Sequence, residues 1–132
     1  MATTFHWPAL VTLLTMLLLA ACGWAVGRAR VRHQVKAPAT AGPDGFERAY
    51  RVHMNTLENT VIFLPALWLA ALYSSPRIAA LVGAVWLVGR LWYAVAYARD
   101  PRSRGAPFAL AAIACAVLIA MAAWGLFTSP LW

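Results

Sequence analysis

The chain has 132 residues, 63% of them hydrophobic and only 11% charged, whereas a soluble domain is about one quarter charged. Each spanning helix needs about 20 apolar residues, so four spans with short loops use nearly the whole length and no separate soluble domain fits. The formal charge of +7 arises from 11 Lys and Arg against 4 Asp and Glu. These cations lie in loops beside apolar runs, where lipid headgroups account for them and no nucleic-acid partner is implied.

Trp7 to Val26 carries no charge, begins beside Pro8, a residue suited to a first helical turn, and ends at Arg28, Arg30 and Arg32. It reads as a spanning helix of the mature protein rather than a secretory signal, since no charged segment precedes it. Residues 37 to 45, APATAGPDG, have the composition of a turn-rich connector. Phe46 to Tyr73 is polar in its first third and apolar after it. A single helix there projects from the membrane, enters lipid near Thr60 and is expected to kink at Pro65. Ser74, Ser75 and Pro76 close it.

Arg77 to Ala98 forms the third span, interrupted only by Arg90, and residues 99 to 107, RDPRSRGAP, read as a basic loop. Phe108 to Phe127 is the fourth span. No segment alternates with period two for long enough to make a strand. The expectation is therefore an all-α, multi-pass, integral membrane four-helix bundle: one domain over residues 1–132, with spans at about 7–26, 57–73, 77–98 and 108–127.

Six Lys and Arg lie between spans one and two, three lie between spans three and four, and only Arg77 lies on the other side. The positive-inside rule puts both basic loops in the cytoplasm and both termini opposite. Cys22 and Cys115 fall in apolar runs, and neither a disulfide framework nor a metal site is indicated.

Two polar stripes stand out. Arg48, Arg51, Asn55 and Glu58 are spaced 3, 4 and 3 apart, along one face of a helix. Arg90, Tyr93 and Tyr97 are spaced 3 and 4 apart and lead to the second basic loop. Structural readings exist for each: Arg48 as a snorkelling anchor, the tyrosines as belt residues, and Glu58 paired with Arg90 because a carboxylate in hydrocarbon needs a partner. Together the stripes describe a pocket of cationic donors, a carboxylate and hydroxyls. Such a set suits a small zwitterionic ligand of net negative charge, with a lipophilic second substrate arriving through the lipid.

The motifs GPxxFERxYRxxxNxxE at residues 42 to 58 and RLxYxxxYAR at 90 to 99 resemble the membrane-associated proteins in eicosanoid and glutathione metabolism, the MAPEG family. The resemblance runs from about Arg30 to Arg104. It implies a homotrimer of four-helix subunits that binds glutathione between neighbours, near the cytoplasmic side. By position, Arg51 would meet the γ-glutamyl carboxylate, Glu58 the amino group and Asn55 the peptide backbone. Tyr93 and Tyr97, with Arg30, would hold the glycine end. Arg90 joins the binding set, and His53 stands where members of the family differ, which leaves its contact open.

The nucleophile in such chemistry is a thiolate, and Arg104 resembles the arginine that stabilises it in the family. Arg99 and Arg102 share its loop and could take the role if the register slips. The implied activity is conjugation of glutathione to lipophilic electrophiles, or reduction of lipid hydroperoxides. A non-catalytic lipid-binding scaffold is the alternative within the family, but it predicts a degraded glutathione site. A transporter or channel subunit using Glu58 and Arg90 leaves the basic cluster unexplained.

Overall fold

A computed structural model describes residues 4–130, so the outer ends of the expected 1–132 domain, residues 1–3 and 131–132, lie outside the described residues. Four long helices account for nearly all of it: α1 (His6–His33), α2 (Asp44–Tyr73), α3 (Pro76–Arg99) and α4 (Gly105–Thr128), with a short 3-10 helix over Pro101–Arg104. All four are long and apolar enough to cross a membrane. At about 1.5 Å per residue, the 28 residues of α1 reach roughly 42 Å, beyond the ~30 Å hydrocarbon core. The excess carries Arg28, Arg30 and Arg32, which extend the helix past the span expected from the sequence rather than ending it.

The helix ends follow local chemistry. α1 stops at Gln34, which takes a left-handed conformation (φ 54°, ψ 40°) and turns its N–H back toward the carbonyls of the last turn. The Ser75 hydroxyl caps α3 by accepting from the Ile78 N–H at 3.4 Å, with Pro76 at the first helical position. α2 runs unbroken through Pro65. The expected loop after α3 is instead a turn of 3-10 helix. Asp100 caps it through a bond to the Arg102 N–H at 2.9 Å, and the chain enters α4 with no intervening coil.

α2 and α3 pack together, with α1 and α4 each lying against both of them. Small residues dominate the contacts, including Ala66, Ala70, Ala79, Ala111, Ala114 and Ala122, and they let backbones approach closely. A Cβ on Gly125 would collide with the Tyr73 carbonyl, so only glycine lets α4 lie against the end of α2. Larger apolar groups point outward, with Phe127 85% and Trp124 75% exposed. So much apolar bulk on the outside inverts the soluble pattern and marks the outer surface as lipid-facing.

Within the bundle, the buried threonines bond to carbonyls one turn back, whereas the Trp86 indole N–H is buried without a partner among the described residues. Thr15 donates to the Val11 carbonyl at 2.8 Å and Thr60 to that of Thr56 at 2.7 Å. The Trp68 indole N–H reaches across to the Thr12 hydroxyl at 3.1 Å and ties α2 to α1. Phe63 and Trp86 stack at 3.7 Å between α2 and α3, an aromatic pair at the centre of the core.

Candidate functional site

The polar third of α2, the last turns of α3 and the 3-10 helix meet at the basic end of the bundle. There they form an open cleft of about 330 Å³, with Arg51, Asn55, Glu58, Tyr93, Tyr97 and Arg104 on its walls. The helical period explains the α2 wall, because residues 51, 55 and 58 recur every three or four positions and so share a face. Tyr93 and Tyr97, one turn apart on α3, stack at 5.7 Å. The Arg104 guanidinium sits 5.8 Å from the Tyr97 ring centre. Arg51, Glu58 and Arg104 are exposed, while Tyr93 and Tyr97 are buried up to their cleft-facing edges.

Arg90 lies beneath the cleft floor and is fully buried, at 0% exposure. Its Nη2 donates to Asn55 Oδ1 at 3.0 Å and to Thr56 Oγ1 at 2.7 Å, and its guanidinium lies over the Tyr93 ring at 4.2 Å. The Glu58–Arg90 pair that the sequence offered as a structural alternative does not form among the described residues. The guanidinium is turned instead to Asn55 and Thr56. Glu58 opens into the cleft without a cation bound to it, and among the described residues the only ion pair is Arg48 with Asp44, at 4.0 Å.

Of the residues expected to bind, Arg90 lies beneath the cleft and Arg30 and His53 fall outside it, as does Arg48 of the first stripe. Arg48 sits near its rim and donates to the Arg99 carbonyl at 3.5 Å, which joins the start of α2 to the end of α3. Arg30 turns to the Ala39 carbonyl at 2.8 Å and lies over the Phe46 ring at 4.9 Å. His53 faces α1, with its ring against Gly23. Neither Arg30 nor His53 meets Arg51, Asn55 or Glu58 within one chain. Arg99 and Arg102 share the basic end with Arg104 but do not line the cleft.

Tyr50 and Met54 also line the cleft and were not singled out from the sequence. Both lie within one turn of Arg51 on the same helix, and the same periodicity that selected Arg51 and Asn55 could have selected them. Thr56 was missed as the second acceptor for Arg90, since a lone threonine in a helix carries no distinguishing signal.

Fold and cleft together define an integral membrane protein of four helices with a cationic, tyrosine-lined site at one end. The MAPEG family profile matches residues 8–124, and the chain belongs to that family. It is 45% identical to leukotriene C4 synthase of Cavia porcellus over 118 residues, covering 89% of this chain and 79% of that protein. It is 38% identical to microsomal glutathione S-transferase 2 of Mus musculus, covering 70% of this chain and 67% of that protein. An uncharacterised protein of Synechocystis sp. is 45% identical over 130 residues, covering 98% of this chain and 92% of its own length.

Proposed function

We propose that this protein is a membrane-bound glutathione transferase that attacks lipophilic electrophiles, or reduces lipid hydroperoxides, through a glutathione thiolate. The observation that carries the reading is the convergence of Arg51, Asn55, Glu58, Tyr93, Tyr97 and Arg104, from three separate segments, on one cleft. Relatives named as leukotriene C4 synthase and microsomal glutathione S-transferase 2 support it. Arg51 binds the γ-glutamyl carboxylate bidentately and Glu58 accepts from its ammonium group. Asn55 bonds the peptide backbone, with its amide held from behind by Arg90. The two tyrosines take the glycine end.

Arg104, at the mouth of the cleft, favours the thiolate over the thiol through its positive charge. The thiolate then forms a C–S bond with the electrophile, which arrives from lipid, and the leaving group or an added proton balances the charge. Arg30 and His53 lie on another face of the subunit and complete the site from a neighbouring copy. In line with the family resemblance, the protein works as a homotrimer, with three equivalent clefts covered by adjacent chains. The basic end faces the cytoplasm, in line with the concentration of Arg and Lys there.

The test is conjugation of glutathione to a generic aryl halide by purified protein, read together with ultraviolet thiolate absorbance on glutathione binding. Turnover with a bound-thiolate signal is the expected result. Absence of glutathione binding in the wild-type protein overturns the reading and leaves a lipid-binding scaffold as the better description.

A further inference from the structure

A second groove lies at the same end of the bundle but on a different wall, between the C-terminal turns of α1 and the ends of α2 and α3. Its volume is about 380 Å³, and Trp24, Arg28, Arg32, His33, Gly45 and Ala98 are among the residues that line it. None of the residues lining this groove also lines the glutathione cleft. Arg28 and Arg32 are one helical turn apart on an exposed face of α1, and among the described residues neither has an acidic partner. Arg30, between them, is turned away to Ala39 and Phe46. The split follows from the helical period, which separates Arg30 by about 160° from its neighbours two residues on either side.

At one end of the groove the His33 ring packs against Gly45 at the start of α2. At the other end Arg28 lies over the Trp24 ring at 4.8 Å, and Trp24 is 66% exposed at the last turn before the apolar run ends. An indole there, facing outward, sits where the acyl chains give way to headgroups. Two guanidiniums and an imidazole just beyond it, with no carboxylate among the lining residues, complement a phosphate at headgroup depth.

We propose that this groove binds the phosphate of an anionic phospholipid, with Arg28 and Arg32 as the charged contacts and Trp24 against the upper acyl chain. The occupant is a membrane lipid rather than a soluble anion, because the indole continues the site into the hydrocarbon. The site is independent of the glutathione cleft and of any activity there.

Native mass spectrometry of the full-length protein, released from neutral detergent with equimolar phosphatidylglycerol and phosphatidylcholine, tests the proposal. Three variants are compared with wild type: Arg32→Gln, Arg32→Lys and Lys36→Gln. Lys36 is exposed and does not line the groove, so Arg32→Gln and Lys36→Gln carry the same net charge and differ only in where the cation was lost. Wild type is expected to retain phosphatidylglycerol in preference to phosphatidylcholine. Arg32→Gln is expected to lose about five-fold of that preference, the worth of one interfacial cation. Arg32→Lys and Lys36→Gln should retain most of it. Equal retention of both lipids by wild type, or equal losses in Arg32→Gln and Lys36→Gln, overturns the proposal. Displacement of phosphatidylglycerol by inorganic phosphate also overturns it, since the occupant would then be a soluble anion.

Discussion

Replacing Arg104 with alanine is the most informative perturbation of the proposed chemistry. A free thiol has a pKa of about 8.5, so at pH 7 only about 3% of it is thiolate. A guanidinium about 4 Å from the sulfur contributes between ~1 kcal/mol in bulk water and ~4 kcal/mol near a protein surface. Arg104 is exposed at the cleft mouth, which argues for the middle of that range. About 2.7 kcal/mol lowers the thiol pKa by about two units and raises the thiolate fraction at pH 7 to roughly three quarters. The Arg104→Ala variant should therefore show a roughly 25-fold weaker thiolate signal at pH 7 with glutathione bound. The titration midpoint should move up by about two units. Because the thiol pKa is lowered by the arginine, the signal is present above the midpoint and lost as pH falls through it.

Turnover is a weaker readout than absorbance. A less basic thiolate is a poorer nucleophile, with a Brønsted slope of about 0.4–0.5, so two pKa units cost about eight-fold in intrinsic reactivity. The net gain in rate from charge stabilisation alone is then only about three-fold at pH 7. Ultraviolet titration of the bound thiol decides the matter. If Arg104→Ala titrates where wild type does while Arg99→Ala or Arg102→Ala shifts the midpoint, the assignment to Arg104 is wrong.

Further predictions concern assembly, support of the site and packing. Co-expression of Arg30→Ala and Arg104→Ala chains should restore about a quarter of wild-type sites if the two residues come from different subunits of a ring, and none if each chain works alone. Arg90→Met should weaken glutathione binding about ten-fold in calorimetric titration, through loss of one charge-assisted bond to Asn55. Thermal stability of that variant should fall little, because a buried charge is removed together with its bonds. Gly125→Ala should lower stability by about 1–3 kcal/mol in detergent melts through overpacking against Tyr73. Gly27→Ala, where a methyl group meets open space, should be neutral or stabilise by up to about 1 kcal/mol. Trp68→Phe should cost about 0.6 kcal/mol for the lost bond to Thr12.

The helices were legible because apolar runs and breakers recur at the lengths a bilayer demands, and the α2 wall because a 3.6-residue period places Arg51, Asn55 and Glu58 on one face. The partner of Arg90 was not legible in the same way. Charge alone selects Glu58, whereas the geometry of α2 presents Asn55 and Thr56 to the buried guanidinium. The same period already separates His53 by about 160° from Arg51 and Asn55, so spacing excluded it from the cleft even as the resemblance included it. The 3-10 turn also had a signal in the sequence. Asp100 followed by Pro101 is a cap and first-turn pair, hidden by a composition that otherwise reads as loop.

That turn sets different tolerances for the two connections at the basic end. Between α1 and α2, residues 34 to 43 form a longer connection, tied down by Arg30 on the Ala39 carbonyl and by the Gly42 N–H on the Glu47 carboxylate, with coil between these points that can take up a change in length. Between α3 and α4 there is no slack, because Arg104 ends the 3-10 helix and is also the cap residue of α4. One inserted residue in the 3-10 turn would swing the guanidinium by about 120° and carry it off the Tyr97 face. Descendants of this sequence can thus vary the length of the first connection while that of the second stays fixed.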